Sequence, residues 1–321
     1  MNRKIPIHIS FYNDRWEKMI SEGMAALHYE PVFLHGDVAL SDIQDSEVLF
    51  GMFPPELLAQ CPQLKWLQCS FAGVDTYTGP GVFVRPDAIL TNASGAYGIT
   101  ISEHMICVLL MMMRRMPEYQ ALIARRGWGI LGDIRSIYGS TVTIIGMGDI
   151  GSNFGRRVRA MGASVIRGVR RTLRDKPDWA DEVYTTEQLN EALRGADVVA
   201  LCLPGTAGTK GILGQAQFDA MKDGAYVINV GRGTAIEQEA LDRALRSGKL
   251  AGAALDVAYP EPLPQDHFLW DAPNLLLTPH VSGNMSLPRT CELVIDIFLR
   301  NLAHWDKGEA LEHQVNRKQG Y

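Results

Sequence analysis

The sequence is poor in cysteine and has no long apolar run, and each absence excludes a class of protein. Its five cysteines are odd in number and widely spaced, with no C-x-x-C pair, so neither a disulfide framework nor a zinc site is expected. The longest apolar run, 105–113, is too short to span a bilayer and is typical of a buried helix. The N-terminus lacks the pattern of a signal peptide, because charged residues follow the short apolar run 5–10 at once. We therefore expect a cytoplasmic protein with no membrane partner and no metal site.

An excess of positive charge is also missing. The 31 Lys and Arg residues are outnumbered by 36 Asp and Glu residues, which gives a net charge of -5. Proteins that bind nucleic acid carry clustered positive charge, so no nucleic-acid partner is expected. A composition that is 46% hydrophobic and 21% charged is typical of a globular protein. Because 321 residues exceed the size at which one core keeps growing, the length favours two domains.

One stretch, 141–155, organises the chain. The residues of 141–145 are mostly β-branched, as in a buried strand, and Gly146, Gly148 and Gly151 follow with the spacing G-x-G-x-x-G. Apolar residues then recur every four positions, which predicts a helix packed on a sheet. A strand, three such glycines and a helix together predict a dinucleotide-binding turn, in which the pyrophosphate lies at the helix N-terminus. The alternative is an ordinary glycine turn in a protein with 31 glycines.

Strand and helix patterns alternate along the whole chain, which predicts parallel sheets covered by helices. The fold class we expect is α/β, with two doubly wound parallel-sheet domains. We assign 1–98 and 284–321 to a flavodoxin-like substrate domain and 99–283 to a Rossmann dinucleotide-binding domain. The residues 71–75 and 94–98 follow predicted strands of the first sheet, where ligands bind in open α/β folds, although plain surface turns are the alternative.

Two further predictions concern the start of the second domain. Thr100 or Ser102 is expected to cap a long helix, which ends before Pro117 because proline resists the helix interior. The residues 119–138, rich in Arg, Gly and Trp, are expected to be irregular. They could form an arm that contacts another subunit.

The end of the second strand, near 169, bears on the choice of dinucleotide. NAD-binding domains usually place an acidic residue about 20 positions beyond the glycines, on the adenosine ribose hydroxyls. Here Val169 occupies that position, and Arg170 and Arg171 follow. Because guanidinium groups match the geometry of a phosphate, these residues favour NADP, with NAD as the alternative. A solvated basic loop would explain them equally simply.

Three further segments carry polar residues at the ends of predicted strands: 229–233 (NVGRG), 254–264, and 277–280 (LTPH). Their order, downstream of the glycine loop and of the residues 72–75 (AGVD), resembles that of the D-isomer-specific 2-hydroxyacid dehydrogenase family over nearly the whole chain. The resemblance implies an active site between two domains and usually a homodimer.

The same resemblance assigns roles to individual residues. Arg232 corresponds to the arginine that binds the substrate, Glu261 to the glutamate that orients the histidine, and His280 to the catalytic acid/base. Ala72 and Gly73 correspond to a loop whose backbone N–H groups help hold the substrate carboxylate. The expected cofactor-binding residues are Gly146, Gly148, Asp149, Ile150, Gly151, Arg170, Arg171, Pro204, Thr209 and Asp256.

General chemistry agrees with these roles. A guanidinium can bind the carboxylate and the carbonyl of a 2-oxo acid together, and a histidine beside a carboxylate can protonate the oxygen that receives charge during hydride transfer. We therefore expect an oxidoreductase that transfers hydride between NADP(H) and a small 2-oxo acid or D-2-hydroxy acid, such as glyoxylate or hydroxypyruvate. A non-catalytic, nucleotide-sensing corepressor is the alternative. Each residue taken singly could have a plain structural role.

The sequence also departs from the family pattern. Cys202 lies where many relatives carry histidine, and Gly155 lies where alanine is common. Neither departure removes the three predicted catalytic residues.

Overall fold

A computed structural model describes residues 3–320 of the chain and divides them into two compact units. The first unit combines the segment that ends at Tyr97 with the segment that begins at Asn284, and the second extends from Gly98 to Gly283. The predicted boundary placed residue 98 in the first domain, whereas Gly98 begins the first helix of the second unit.

The first unit contains a parallel sheet whose described strands have the spatial order β2-β1-β3-β4-β5. This is the flavodoxin-like order, with its switch point between β1 and β3. Gly51 ends β3 at a φ of +124°, and a Cβ atom there would lie 1.8 Å from the His8 carbonyl oxygen, so the close approach requires glycine. The strands are β1 (Arg3–His8), β2 (Tyr29–Phe33), β3 (Val48–Gly51), β4 (Trp66–Gln68) and β5 (Ile89–Thr91).

Helices cover this sheet with regularly spaced apolar residues. In the first helix Trp16, Ile20 and Met24 are buried at a spacing of four, and the side chain of Asn13 caps the helix by accepting a hydrogen bond from the Trp16 N–H. The C-terminal helix (Pro288–Lys307) packs Phe298 on Phe50 of β3, with ring centroids 4.0 Å apart. The other helices of the unit are α1 (Asp14–Ala25), α2 (Leu40–Ile43) and α3 (Pro55–Leu58).

The second unit contains a larger parallel sheet whose described strands have the order β12-β11-β10-β9-β6-β7-β8. The chain order reverses between β6 and β9, and ligands bind at such switch points in doubly wound folds. The predicted fold class, two doubly wound parallel sheets, is confirmed. The strands are β6 (Thr141–Ile145), β7 (Val165–Arg170), β8 (Glu182–Thr185), β9 (Val198–Leu201), β10 (Ala225–Asn229), β11 (Leu250–Leu255) and β12 (Leu275–Leu277).

Two predictions about the helices of this unit are wrong. The first helix begins at Gly98, so Thr100 and Ser102 lie inside it, and the Ser102 hydroxyl donates to the Gly98 carbonyl instead of capping the helix. The segment 119–138 is not wholly irregular, because a helix begins at Met116 with Pro117 in its first turn, where a missing N–H is tolerated. The helices are α4 (Gly98–Met113), α5 (Met116–Ala124), α6 (Asp149–Ala160), α7 (Leu189–Leu193), α8 (Gln215–Ala220) and α9 (Gln238–Arg246).

No helix within residues 3–320 combines the length and the apolar character needed to cross a membrane. The run 105–113 instead forms most of α4, which packs closely against α6.

Candidate active site

His280 and Glu261 form a hydrogen-bonded pair beyond the carboxyl end of β12. His280 Nδ1 lies 2.8 Å from Glu261 Oε2, and both side chains are partly exposed. The second carboxylate oxygen, Oε1, accepts a hydrogen bond from the Ala258 N–H at 2.9 Å. Glu261 is therefore held from both sides, and its position fixes one ring nitrogen of His280 while leaving Nε2 for chemistry.

The backbone around His280 is held by Asp256, a buried carboxylate that follows β11. Its Oδ1 accepts hydrogen bonds from Thr278 Oγ1 at 2.6 Å and from the Val281 N–H at 2.9 Å. Its Oδ2 accepts one from the Ser282 N–H at 2.9 Å. Asp256 thus holds the chain on both sides of His280 by hydrogen bonds. The φ of His280, +54°, is unusual for a residue with a side chain.

The turn that carries Arg232 follows β10 and depends on Asn229. The Asn229 side chain accepts from the Gly231 N–H at 3.0 Å and donates to the Arg232 carbonyl at 2.9 Å. Arg232 is half-buried, and its Nη1 donates to the Gly231 carbonyl at 2.8 Å. This amide clamp gives the NVGRG segment a fixed shape.

Glycines bring the Arg232 turn against two other segments, one of which carries Glu261. A Cβ atom on Gly233 would lie 2.0 Å from the Ala258 carbonyl oxygen, and one on Gly231 would lie 2.5 Å from the Leu203 carbonyl oxygen. The strands β10, β11 and β12 are also adjacent and parallel. The three predicted catalytic residues therefore follow the carboxyl ends of three neighbouring strands.

A cavity of about 550 Å³ adjoins the Glu261–His280 pair within the second unit. Its walls are largely apolar and include Leu263, Leu277 and Trp270. Small-molecule sites typically combine such walls with a few polar groups.

The glycine loop after β6 is closely packed at Gly146 and Gly151 and open at Gly148. Gly146 has a φ of +101°, and a Cβ there would lie 2.5 Å from the Cys202 carbonyl oxygen. A Cβ on Gly151 would lie 2.0 Å from the Gly146 carbonyl oxygen, so α6 packs on β6 only without one. By contrast, a Cβ on Gly148 would meet no atom within 4 Å. The loop therefore leaves space beside Gly148, at the N-terminus of α6, where an anion would bind.

The first turn of α6 includes Asp149 and Ile150, whose backbone N–H groups are the predicted anion donors. The Asp149 carboxylate is directed away from that role, since it accepts from Asn153 Nδ2 at 2.9 Å and lies beside Gly98 of α4. Any contact of Asp149 with a pyrophosphate would thus come from its backbone.

The two predicted arginines at the end of β7, Arg170 within the strand and Arg171 after it, differ in their surroundings. Arg170 Nη2 donates to the carbonyls of Arg174 and Asp175 at 2.7 and 2.8 Å, so this guanidinium braces its own loop. Arg171 is exposed. Thr209 is likewise a bracing residue, because its hydroxyl donates to the Pro204 carbonyl at 2.7 Å.

The structure explains one departure from the family pattern and limits the effect of another. A Cβ on Gly155 would lie 2.4 Å from the ring of Trp179, which is buried against α6, so glycine makes room for this indole. Burial raises the pKa of the Cys202 thiol to about 12, so the side chain stays a thiol near neutral pH.

Ala72 and Gly73 lie in the first unit, in the loop after β4. Within the described part of the chain, neither of their N–H groups donates a hydrogen bond to another residue.

Sequence reasoning did not predict how the site is held in shape. It missed the hydrogen bonds of Asn229 and those by which Asp256 holds the backbone around His280. Gln238 is a further example, because its side chain donates to the Tyr259 carbonyl at 2.7 Å and accepts from the Tyr259 N–H at 2.9 Å. The sequence offered one signal, for Asn229 alone: an amide at the end of a predicted strand, two residues before a glycine.

The chain is similar to known proteins in sequence and in fold. Residues 106–282 match the family model described as D-isomer specific 2-hydroxyacid dehydrogenase, NAD binding domain. The chain is 35% identical over 226 residues to glyoxylate/hydroxypyruvate reductase A of Salmonella paratyphi B, which covers 70% of each chain.

Two solved structures share the whole fold. A D-isomer specific 2-hydroxyacid dehydrogenase family protein from Aeromonas salmonicida aligns with a TM-score of 0.85 and 33% identity over 99% of this chain and 100% of that one. An NADPH-dependent glyoxylate/hydroxypyruvate reductase from Sinorhizobium meliloti, in complex with NADP and sulfate, aligns with a TM-score of 0.82 and 27% identity over the same shares. The matched domain, the fold and these identities lead to one assignment: the chain belongs to the D-isomer specific 2-hydroxyacid dehydrogenase family of enzymes.

Proposed function

We propose that this enzyme uses NADPH to reduce a small 2-oxo acid, such as glyoxylate or hydroxypyruvate, to the D-2-hydroxy acid. The observation that carries the proposal is the Glu261–His280 pair, in which His280 Nδ1 lies 2.8 Å from Glu261 Oε2. His280 follows β12, which pairs with β11, the strand that precedes Asp256. The reductases of Salmonella and Sinorhizobium, to which the chain is similar, support the choice of substrate and of dinucleotide.

In the proposed reaction His280 supplies the proton. Bound NADPH would supply the hydride that reduces the carbonyl carbon, and His280 Nε2 would give its proton to the carbonyl oxygen as charge develops there. Because Glu261 engages Nδ1, it keeps the ring oriented and leaves Nε2 to carry the proton that is transferred. The imidazole is left neutral and regains a proton from solvent.

Arg232 and the loop at Ala72 and Gly73 are proposed to bind the substrate. A planar guanidinium can donate to a carboxylate and to the neighbouring carbonyl oxygen together, and it would polarise that carbonyl. The backbone N–H groups of Ala72 and Gly73 would donate to the same carboxylate. The cavity beside Glu261 and His280 is the space we propose for the substrate side chain.

The glycine loop and the first turn of α6 are proposed to bind the pyrophosphate, through Gly146, Gly148, Gly151 and the N–H groups of Asp149 and Ile150. Asp256 would act on the nicotinamide end indirectly, through the backbone that it grips. For the adenosine end, Arg171 is exposed after β7, with Val169 buried where an acid would select NAD. Arg170 would support that loop, as Thr209 and Pro204 support theirs.

We propose a homodimer that forms through the predicted arm, residues 119–138, and chiefly through its part after α5. Trp128, Ile130 and Tyr138 are 95%, 90% and 80% exposed, an unusual exposure for large apolar side chains. Cavities of about 730 and 770 Å³ adjoin the arm in the same unit, one lined by Arg135 and the other by Ile130. A two-fold axis would let each arm cover the partner's cavity, because an isologous interface uses the same surface twice.

The dimer is tested by sedimentation of the wild type and of Trp128→Asp. We expect a dimer for the first and a monomer for the second, with Val84→Asp, at an exposed position of the first unit, as the matched control. A wild-type monomer at micromolar concentration would exclude the proposal.

The compartment is proposed to be the cytoplasm, since all five cysteines are unpaired.

The catalytic proposal is tested by paired titrations of NADPH and NADH, followed by 2-oxo acids graded by side-chain size. We expect NADPH oxidation with the smallest substrates and a lower KM for NADPH than for NADH. Turnover of no 2-oxo acid by a protein that binds NADPH would overturn the proposal.

A further inference from the structure

The carbonyl oxygens of the loop 70–73 are held from behind by residues of the neighbouring loop, 92–97. Tyr97 Oη donates to the Ser70 carbonyl at 2.8 Å, and the Ala93 N–H donates to the Phe71 carbonyl at 3.0 Å. Asn92 Nδ2 donates to the Ala72 carbonyl at 2.9 Å. Three consecutive peptide groups are therefore fixed by hydrogen bonds on one side.

A peptide group is planar and trans, so its N–H points opposite to its carbonyl. The Ala72 carbonyl shares a peptide group with the Gly73 N–H, and the Phe71 carbonyl shares one with the Ala72 N–H. When Asn92 and Ala93 hold these two carbonyls, both N–H groups must point away from the loop 92–97. They then lie side by side, as two donors to one carboxylate would.

Asn92 is the only side chain of the described residues that holds the Ala72–Gly73 peptide group. Glycine at 73 allows a wide range of backbone angles, so this peptide group would turn easily if its carbonyl were released. The backbone contact of Ala93, by contrast, survives a change of any side chain.

Asn92 itself is buried and held at three points. Its Oδ1 accepts from the Ser94 N–H at 3.1 Å, and its carbonyl accepts from Gln68 Nε2 at 3.1 Å. Its N–H donates to the His313 carbonyl at 3.2 Å. Its amide group therefore has one orientation, with the NH₂ on Ala72 and the oxygen on Ser94.

We propose that Asn92 is a positioning residue for the substrate carboxylate: by holding the Ala72 carbonyl, it aims the Gly73 N–H at that carboxylate. This inference rests on the proposed function of the loop. It extends that function to a residue that does not itself touch the substrate.

The test compares Asn92→Ala and Asn92→Asp with the wild type and with Tyr77→Phe. The aspartate is the same size and still accepts from Ser94, but it cannot donate to the Ala72 carbonyl. Tyr77→Phe is the matched control, because among residues 3–320 its buried hydroxyl bonds only to the backbone of Phe53, in the same unit. It should lower the stability of this unit and leave the loop in place.

We expect KM for the 2-oxo acid to rise about 10- to 100-fold in both Asn92 variants, as for the loss of a hydrogen bond to a charged group. The affinity for NADPH should be unchanged, and kcat should fall much less than kcat/KM. The ratio of kcat/KM for a 2-oxo acid to that for its neutral 2-oxo amide should also fall. A merely structural role would lower the melting temperature without changing this ratio, as in Tyr77→Phe.

Crystal structures of the two variants supply a readout that does not depend on activity. A turned Ala72–Gly73 peptide group is the expected result, and an unchanged one overturns the inference. If the wild type reduces 2-oxo acids and both variants keep its KM, the inference fails while the proposed function stands. If the wild type reduces none, the proposed function fails, and the peptide orientation still decides the role of Asn92.

Discussion

The glycine loop after β6 and the segment around His280 are both fixed in shape, but by different means. In the glycine loop, backbone atoms approach so closely that Gly146 and Gly151 exclude any side chain. Around His280, the shape comes from hydrogen bonds to carboxylates of other segments. Asp256 accepts from the flanking backbone N–H groups, and Glu261 bonds to the ring. The first region is sensitive to added volume and the second to the loss of acceptor oxygens.

The largest effect should follow from the acid/base residue. His280→Ala is expected to lower kcat for reduction about 10²- to 10⁴-fold, the usual size of general acid catalysis, since the variant lacks the ring that Glu261 orients. Steady-state kinetics at saturating NADPH measures it. His35→Ala, an exposed histidine of the first unit, should keep wild-type kcat. A His280→Ala variant with kcat near that of the wild type would remove the assigned role.

Replacement of Asp256 should have the next largest effect. Asp256→Asn keeps the volume of the side chain but replaces one acceptor oxygen with an NH₂ group. This group cannot accept the hydrogen bonds that the oxygen now accepts, so the backbone on one side of His280 is released. We expect kcat to fall about 10- to 100-fold through misplacement of the ring.

Thr278→Val separates that misplacement from general damage, because it removes one of the three hydrogen bonds to Asp256 and leaves both N–H contacts. Its kcat should lie between those of the wild type and Asp256→Asn. Equal kcat values for all three proteins would show that the grip of Asp256 does not position the ring.

The two regions also differ in how far the sequence predicts them. The glycine loop lies within six residues at a fixed spacing, and each glycine has a role that local geometry defines, so its place after a strand and before a helix could be predicted. Asp256 was expected among the cofactor-binding residues because the family pattern suggested it. That its carboxylate grips both sides of His280 depends on the pairing of β11 with β12, which no local pattern encodes.

Some of the fold was hidden for similar reasons. The strand β2 is only five residues long and lacks the alternation that marks a strand. Its pairing with the longer β1 creates it. Pro117 indicated the end of α4 correctly, but the same proline also lies in the first turn of α5, since proline suits a helix start as well as it opposes a helix interior.

The glycine loop offers a comparison within itself. Gly151→Ala would place a Cβ 2.0 Å from a backbone oxygen, so we expect a loss of about 1–3 kcal/mol in the free energy of unfolding and weaker dinucleotide binding. Gly148→Ala meets no protein atom within 4 Å and should weaken binding alone. Thermal unfolding without ligand and fluorescence titration with NADPH measure the two effects. Equal stability of both variants would contradict the packing role of Gly151.

The smallest effect concerns the preference for NADPH over NADH. It distinguishes a residue that supports the loop, Arg170, from one that is proposed to bind the phosphate, Arg171. Arg171→Ala should raise KM for NADPH about three- to tenfold and leave KM for NADH unchanged, because an exposed ion pair with the 2′-phosphate contributes modestly. Arg170→Ala frees the carbonyls of Arg174 and Asp175, so the loop loses its brace and KM should rise for both dinucleotides. The ratio of the two KM values therefore separates a phosphate contact from a loop support. An unchanged ratio in Arg171→Ala would assign the preference for NADPH to other residues of the loop.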